Sequence, residues 1–194
     1  TILVTGASSG IGRVIAIECS KMGANLVITG RNESRLQETL TLLHNQGHVS
    51  IISDLSDKEG LDALIEQLPL LDGVVHCAAI LKKLPLKFIN EKAWQETMET
   101  NLFAPALLSQ RLVKKNKIKD ASSIVFISSI AATVASFGNI SYMASKGAIN
   151  SLSRGMALEL ASKKIRVNTV QPALIQTNLT DKALSEEDLK NYLL

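Results

Sequence analysis

Tyr142 and Lys146 are the pair of side chains in this sequence best suited to acid–base chemistry. They lie four residues apart in a segment of helical pattern, so we expect both on one helix face. A tyrosine phenol titrates near ~10, and a neighbouring ammonium lowers that pKa toward the range of a working acid or base. Ser129 ends a predicted strand, where its hydroxyl suits a hydrogen bond to a carbonyl oxygen. Each signal is weak alone, because such residues are also common in turns and on solvated helices.

A glycine-rich turn lies between the first predicted strand and the first predicted helix. It reads Thr5-Gly6-Ala7-Ser8-Ser9-Gly10-Ile11-Gly12. Glycines let a pyrophosphate approach the backbone, where free N–H groups and the positive end of the helix dipole bind it. The spacing differs from the Gly-x-Gly-x-x-Gly fingerprint, and a plain strand-to-helix connection is the alternative. The order of strand, turn and helix favours a dinucleotide site.

The end of the second predicted strand favours NADP over NAD. In a dinucleotide-binding fold, an Asp or Glu at this place binds the ribose 2′-hydroxyl. The chain has Thr29-Gly30-Arg31-Asn32 instead. The planar guanidinium of Arg31 suits a 2′-phosphate, so we expect NADPH as the preferred cofactor. The alternative is that Arg31 is a solvated turn residue.

Strands and helices alternate along the predicted chain. Strand patterns cover residues 2–5, 25–29, 49–52, 73–77, 123–128 and 166–170. Helical patterns cover residues 11–22, 33–45, 58–68, 91–115, 142–161 and 181–192. Several strands are nearly continuous apolar runs, which indicates helices on both faces of a sheet. The sequence therefore predicts a single domain over residues 1–194 with an α/β doubly wound parallel sheet, a Rossmann fold that binds ligands beyond the carboxyl ends of its strands.

Composition and charge exclude several classes of protein. The 194 residues are 46% hydrophobic and 20% charged, which suits one globular domain. The least polar stretch, 124–138, is shorter than the roughly 20 residues of a membrane span. The net charge of +3 comes without a dense basic stripe, so we expect neither a membrane nor a nucleic-acid partner. Cys19 and Cys77 lack metal-ligand spacing and follow no secretory signal, so we expect no metal, reduced thiols and a cytoplasmic location.

Together these motifs resemble the short-chain dehydrogenase/reductase (SDR) family, and the resemblance covers nearly the whole chain. The family's cofactor signature matches residues 5–12, and its Tyr-x-x-x-Lys pair matches Tyr142 and Lys146. Ser129 precedes Tyr142 by the separation common in the family, which favours it over Ser128. Asn101 falls where the family keeps the asparagine of its catalytic tetrad.

The resemblance implies hydride transfer between a nicotinamide and a carbonyl or alcohol carbon. Tyr142 would then donate or accept the proton, and Lys146 would hold the nicotinamide ribose. Ser129 would polarise or position the carbonyl, and Asn101 would support a water beside Lys146. The cofactor-binding residues implied are Gly6, Ser8, Ser9, Gly10, Ile11, Gly12, Arg31, Asp54, Leu55, Cys77, Ala78, Ala79, Tyr142, Lys146, Pro172, Ala173, Ile175 and Thr177.

The chain departs from the family pattern in three places. Residues 76–79 read His-Cys-Ala-Ala where the family has Asn-Asn-Ala-Gly, so that asparagine's hydrogen bonds must be replaced or lost. Adjacent residues of a strand point to opposite faces, so we expect His76 and Cys77 to serve packing and not to act as a pair. Ala173 replaces a glycine after the sixth strand. The chain also stops before the family's final strand and part of its substrate pocket, so we expect a missing C-terminal part.

The broad similarity favours an NADP-dependent carbonyl reductase, most like the 3-oxoacyl-[acyl-carrier-protein] reductases of fatty-acid synthesis. The substrate expected is a small carbonyl or alcohol compound, with an acyl thioester as the first candidate. A sugar, polyol or steroid dehydrogenase of the same family is the alternative, because loops form the substrate pocket. A cofactor-sensing protein without turnover is another. The resemblance further implies a homodimer or homotetramer that associates through helices 91–115 and 142–161.

Overall fold

Six parallel strands form one sheet in the order β3-β2-β1-β4-β5-β6. The computed structural model describes residues 1–181. Its strands are β1 (Ile2–Thr5), β2 (Leu26–Gly30), β3 (Val49–Ile52), β4 (Leu71–His76), β5 (Ile118–Ile127) and β6 (Arg166–Val170). The predicted doubly wound parallel sheet is confirmed. The strand order reverses between β1 and β4, so the loops that follow them diverge and open a crevice at the carboxyl edge of the sheet.

Seven α-helices connect and flank the strands in the described part of the chain. They are α1 (Gly10–Lys21), α2 (Glu33–Thr41), α3 (Lys58–Gln67), α4 (Glu91–Met98), α5 (Ala104–Lys114), α6 (Ile140–Glu159) and α7 (Asn178–Asp181). Side-chain oxygens of Asn32, Asp57 and Asn90 cap α2, α3 and α4 by accepting a backbone N–H three residues later. The helix predicted over 181–192 lies outside the described residues except for its first position.

Apolar side chains cover both faces of the sheet. In β1, Leu3 and Val4 are fully buried but belong to different clusters, because successive side chains of a strand point to opposite faces. Leu3 packs in a cluster that includes Phe126 and the α6 residue Ile149, whereas Val4 packs in a cluster that includes Leu36 of α2. The apolar runs in the sequence reflect this two-sided burial.

The helix predicted over 91–115 is present, but it is not α-helical throughout, because a π-helical turn, Glu99–Phe103, lies between α4 and α5. Such a wide turn is rare and often lies at a functional site. Here it carries Asn101, which is 2% exposed. The prediction for α2 is also too long, since the helix ends at Thr41 and Asn45 has a φ of 71°.

Two strands begin earlier than the apolar pattern indicates. β4 starts at Leu71, and β5 starts at Ile118, which pairs with Leu71. The register between them shifts between Leu71 and Gly73, and Ala121 has a φ of 59°. Because β5 begins with an irregular, polar segment, the apolar pattern of the sequence does not indicate its first residues.

Among residues 1–181, no helix combines the length and apolar character that crossing a membrane requires.

Candidate active site

Loops that follow β1, β4, β5 and β6 meet in one crevice at the carboxyl edge of the sheet. This edge is where parallel α/β sheets bind ligands, since the loops there surround the switch in strand order. The predicted residues that line the crevice are Gly6, Ser9, Gly10, Ile11, Gly12, Cys77, Ala79, Ser129, Tyr142, Lys146, Pro172, Ala173, Ile175 and Thr177.

Ser129, Tyr142 and Lys146 lie together in the middle of this crevice. Ser129 caps a short 3-10 helix after β5, where its Oγ accepts the Ala131 N–H at 3.1 Å. Tyr142 and Lys146 lie on one face of α6, with the Lys146 Nζ 5.5 Å from the centroid of the Tyr142 ring. The same Nζ donates to the Ile127 carbonyl at 2.7 Å, which fixes the ammonium below the ring.

Burial raises the pKa of Tyr142 above its ordinary value. A hydrogen bond with Ser129 lowers that pKa, but the desolvation of the phenolate outweighs it. The prediction that the pKa of Tyr142 falls below its ordinary value is therefore wrong, because desolvation sets the net direction of the shift. The pKa of Lys146 itself falls to about 8, because the ammonium is buried as well.

Asn101 lies beside the crevice and not in its lining. Its Oδ1 accepts the Ile80 N–H at 2.8 Å, and its Nδ2 donates to the Ile80 carbonyl at 2.9 Å. The Nδ2 also donates to Ser145 Oγ at 3.2 Å, and Ser145 Oγ donates to the Tyr142 carbonyl at 2.7 Å. The side chain of Asn101 thus ties the loop after β4 to the helix that carries Tyr142.

A second cavity continues from the crevice to the ends of β2 and β3. The two share Gly6, Ser9, Ala79 and Leu179 in their linings. The remaining predicted residues, Ser8, Arg31, Asp54, Leu55 and Ala78, line the second cavity. Every residue of the predicted cofactor set therefore lines one of two connected cavities.

Arg31 forms an ion pair that the sequence did not indicate. Its Nη1 lies 3.7 Å from Asp54 Oδ2. Burial raises the pKa of Asp54, but hydrogen bonds from Ser56 and the charge of Arg31 bring it below its usual value. The carboxylate therefore stays ionised and competes with any anion for the guanidinium of Arg31.

The glycine-rich turn fits a dinucleotide because its backbone leaves no room for side chains. A Cβ on Gly6 would lie 2.7 Å from the backbone of Ala78, and Gly6 has a φ of +66°. A Cβ on Gly12 would lie 2.4 Å from the Gly6 carbonyl oxygen. Real Cβ atoms do not approach so closely, so glycine at these positions lets the turn pack against the loop after β4 and lets α1 pack directly on the turn.

Two backbone N–H groups attach the loop after β4 to Thr5 of β1. The N–H groups of Cys77 and Ala78 donate to Thr5 Oγ1 at 3.0 and 3.2 Å, which keeps this loop attached to β1. His76 faces the core, where its ring stacks on Phe126 with centroids 4.6 Å apart. Burial lowers the pKa of His76 to about 3, so the ring is neutral.

Cys77, one of the predicted cofactor-binding residues, lines the crevice and also packs against the apolar cluster that contains Val4. Burial raises the pKa of its thiol to about 11, although the nearby charge of Lys146 lowers it. Cys77 is thus an uncharged thiol beside Lys146. Among residues 1–181, no three His, Cys, Asp or Glu side chains cluster as metal ligands would.

Sequence reasoning missed several residues of the two cavities. Arg35 lines the second cavity together with Arg31, and its position one helical turn after Arg31 was an available signal. Leu179 and Thr180 of α7 line the crevice, but no local motif marks them because tertiary folding brings α7 there.

A smaller, largely aliphatic pocket adjoins the crevice at Ser129 and Tyr142. Both residues line the crevice and this pocket, so they lie at the boundary between the two cavities. The aliphatic side chains of the smaller pocket are Leu81, Ile130, Ala131, Val134, Ala173, Leu174 and Leu179. Its polar residues beyond Ser129 and Tyr142 are Ser136, Asn139 and Thr180.

Comparison with known proteins identifies the family. The sequence model of the short chain dehydrogenase family matches residues 1–188. The chain therefore belongs to the short-chain dehydrogenase/reductase family and is an NAD(P)-dependent oxidoreductase.

Curated relatives differ in what their names say they act on. The chain is 34% identical to "Glucose and ribitol dehydrogenase homolog 2" of Arabidopsis thaliana, with 98% of this chain and 70% of the relative covered. It is 32% identical to the 3-oxoacyl-[acyl-carrier-protein] reductase FabG of Vibrio cholerae, with 95% and 77% covered.

Among solved structures, a short chain dehydrogenase/reductase family protein matches with a TM-score of 0.86 and 30% identity over 95% of this chain and 78% of that one. A 4-hydroxyisoleucine dehydrogenase, complexed with NADH and succinate, matches with a TM-score of 0.84 and 28% identity, covering 94% and 79%.

Proposed function

We propose that this chain is an NADPH-dependent carbonyl reductase that acts on 3-oxoacyl thioesters. The observation that carries the proposal is the position of Ser129 and Tyr142, whose side chains border both the crevice and the aliphatic pocket. A carbonyl held in the pocket would then lie beside both residues, next to the part of the crevice that would hold a nicotinamide.

In this proposal a bound nicotinamide cofactor supplies the hydride, and the residues of the chain handle the proton. Tyr142 donates its phenolic proton to the substrate oxygen as negative charge develops there. The raised pKa of Tyr142 keeps the phenol protonated near neutral pH, which suits a proton donor. Ser129 donates a hydrogen bond to the same oxygen and holds the carbonyl in place.

Lys146 stabilises the phenolate that proton donation leaves on Tyr142. Its ammonium lies 5.5 Å from the ring centroid, and its pKa of about 8 leaves it charged at neutral pH. The Ile127 carbonyl holds the Nζ, so the charge is oriented before the reaction. We propose that Lys146 also binds the nicotinamide ribose and that Asn101 supports the helix segment around it.

The preference for NADPH rests on Arg31 and Arg35. Both line the cavity at the ends of β2 and β3, and the two residues directly after β2, Arg31 and Asn32, include no acidic side chain to bind a 2′-hydroxyl. A 2′-phosphate offers more negative charge than the Asp54 carboxylate and replaces it as the partner of Arg31.

The substrate class rests on the aliphatic lining of the smaller pocket. Seven aliphatic side chains suit the alkyl part of a 3-oxoacyl group, since burying apolar surface is favourable by about 25 cal/mol per Å². The FabG relative is named for such a substrate.

A sugar or polyol dehydrogenase is the second candidate. Asn139 lines the same pocket, and its Oδ1 is buried without a hydrogen-bond partner. A substrate hydroxyl would satisfy this oxygen, and the Arabidopsis relative carries the name of a glucose and ribitol dehydrogenase homolog.

We further propose that the enzyme forms a homo-oligomer through α5 and α6. Phe103 and Leu107 leave 49% and 42% of their surface exposed at the start of α5, which is apolar area that a second copy would bury.

Oxidation of NADPH and of NADH by the chain tests the proposal. The panel consists of a 3-oxoacyl thioester, a simple ketone and a keto sugar. We expect thioester-dependent turnover with NADPH preferred. Turnover of the keto sugar alone would replace the first candidate by the second, and cofactor binding without turnover of any compound would contradict both.

A further inference from the structure

Arg13 links the glycine-rich turn to α2 through four hydrogen bonds. Its Nη2 donates to the Ser8 carbonyl at 2.8 Å, to the Arg35 carbonyl at 3.1 Å and to Glu38 Oε2 at 3.1 Å. Its Nε donates to Thr39 Oγ1 at 2.9 Å. One side chain of α1 therefore joins the turn to the helix that follows Arg31.

Thr39 holds the neighbouring peptide of the same turn. Its side chain is fully buried, and the single proton of its Oγ1 is shared between the Ala7 carbonyl at 2.9 Å and the Arg35 carbonyl at 3.0 Å. The carbonyls of two successive residues, Ala7 and Ser8, are thus both held on the side of α2, one by a hydroxyl and the other by a guanidinium.

This anchoring determines where the next two N–H groups point. In a planar trans peptide the C=O and the following N–H point in opposite directions. With the carbonyls of Ala7 and Ser8 held toward α2, the N–H groups of Ser8 and Ser9 are directed away from it. Ser9 lines both cavities and Ser8 lines the second, so these donors belong to the wall of the cofactor site.

We propose that Arg13 and Thr39 are positioning residues that aim the N–H groups of Ser8 and Ser9 at the pyrophosphate of the dinucleotide. The inference rests on the proposed use of this crevice for NADPH. Arg13 does not line either cavity, and its guanidinium is already bonded to three carbonyl or carboxylate oxygens and one hydroxyl. It therefore acts through the turn and not as a phosphate ligand.

The test compares three ligands with two sets of variants. Dissociation constants are measured for NADPH, NADH and adenosine 2′-monophosphate, which lacks the pyrophosphate. For Arg13→Ala and Thr39→Val, we expect both dinucleotides to bind about tenfold more weakly and the monophosphate to bind within about twofold of wild type. Because the pyrophosphate is common to both dinucleotides, the two losses should be equal, and kcat at saturating NADPH should stay near the wild-type value.

Two control variants separate the orientation of the N–H groups from other effects. Thr39→Ser keeps the hydroxyl and should retain wild-type affinity. A simple packing role predicts the opposite pattern, with near wild-type affinity in Thr39→Val, which keeps the shape of the side chain, and weaker binding in Thr39→Ser, which loses a buried methyl group. Thr39 carries no charge, so a loss on Thr39→Val does not arise from electrostatic attraction to phosphate. Arg154→Ala removes an arginine that donates to Ser151 within α6 and should change no dissociation constant.

Two results would overturn the inference. A loss confined to NADPH and the monophosphate would make Arg13 a direct ligand of the 2′-phosphate, and unchanged affinity in both Thr39→Val and Arg13→Ala would show that the turn does not need them. If Arg13→Ala does not fold, the comparison of Thr39→Val with Thr39→Ser still tests the inference. Failure of the wild-type chain to bind either dinucleotide would instead overturn the proposed function, and this inference with it.

Discussion

At the scale of single residues, burial sets the protonation of the groups in the crevice. It raises the pKa of Tyr142 and of Cys77 and lowers the pKa of Lys146, because an apolar surrounding disfavours every charged form. At neutral pH the crevice therefore holds a neutral phenol, a neutral thiol and one ammonium. This combination suits proton donation by Tyr142 better than proton abstraction.

The pKa of Lys146 predicts a pH dependence of carbonyl reduction. Its folded-state pKa of about 8 means that the ammonium is present below this pH and is lost above it. We expect kcat/KM to fall as pH rises through about 8, since this parameter reports groups of the free enzyme. Steady-state rates between pH 6 and 9.5 measure it.

Cys77→Ser is the control for this profile. The Cys77 thiol titrates near 11, outside the measured range, so the decline near pH 8 should persist in the variant. A flat wild-type profile across this range would contradict the role given to Lys146.

Arg31→Ala should weaken the binding of NADPH by about 10- to 100-fold and leave the binding of NADH within about twofold. The reason is that the variant loses a charge-assisted hydrogen bond to the 2′-phosphate, and such a bond contributes roughly 1.5–3 kcal/mol. The measurement is the KM for each cofactor. Asp54→Asn is the matched variant: it removes the carboxylate 3.7 Å from Arg31 and should strengthen NADPH binding. Equal affinity of the wild-type chain for the two cofactors would refute the 2′-phosphate site.

At the scale of elements, the loops at the carboxyl edge of the sheet are held by close contacts that only certain residue types can make. Gly12 at the start of α1 lies directly over the Gly6 carbonyl, and the π-helical turn places Asn101 where its amide joins the β4 loop to α6. Both features hold backbone segments in place while side chains from other elements face the ligand.

Gly12→Ala tests how tightly the turn packs. Its Cβ would lie 2.4 Å from a backbone oxygen that cannot rotate away, so we expect a loss of about 2 kcal/mol or more in the free energy of unfolding, together with loss of cofactor binding. Denaturant unfolding and cofactor titration measure the two effects.

Gly155→Ala in α6 is the matched control, because a Cβ there meets nothing within 4 Å. It should raise stability by about 0.5–1 kcal/mol, as alanine favours a helix over glycine. If Gly12→Ala were as stable as Gly155→Ala, the close approach at Gly12 would not exist in solution.

At the scale of the whole molecule, periodicity was enough to predict the sheet. Apolar runs such as Ile124 to Ile127 arise from two-sided burial, and the alternation of strands with helices allows few arrangements. The loops directly after β1, β2 and β5 carry local motifs, so the sequence also identified candidate residues for the site.

Other features depend on tertiary contacts that a linear pattern does not encode. The ion pair of Arg31 with Asp54 joins the ends of two strands, and the bonds from Arg13 to α2 join two helices. The pKa of Tyr142 was expected to fall because Lys146 was visible in the sequence, whereas the burial that raises it was not. Leu179 lines the crevice because tertiary folding places α7 there, and no local motif marks it in the sequence.

Tyr142→Phe tests the central claim of an active reductase site most directly. The variant keeps the ring beside Lys146 and removes only the hydroxyl that donates the proton. NADPH oxidation with a carbonyl substrate that the wild-type chain reduces should fall by at least about 10²-fold, the usual contribution of a positioned acid. The dissociation constant for NADPH, measured on the same preparation, should stay within about threefold of wild type. A Tyr142→Phe variant with wild-type turnover would contradict the account.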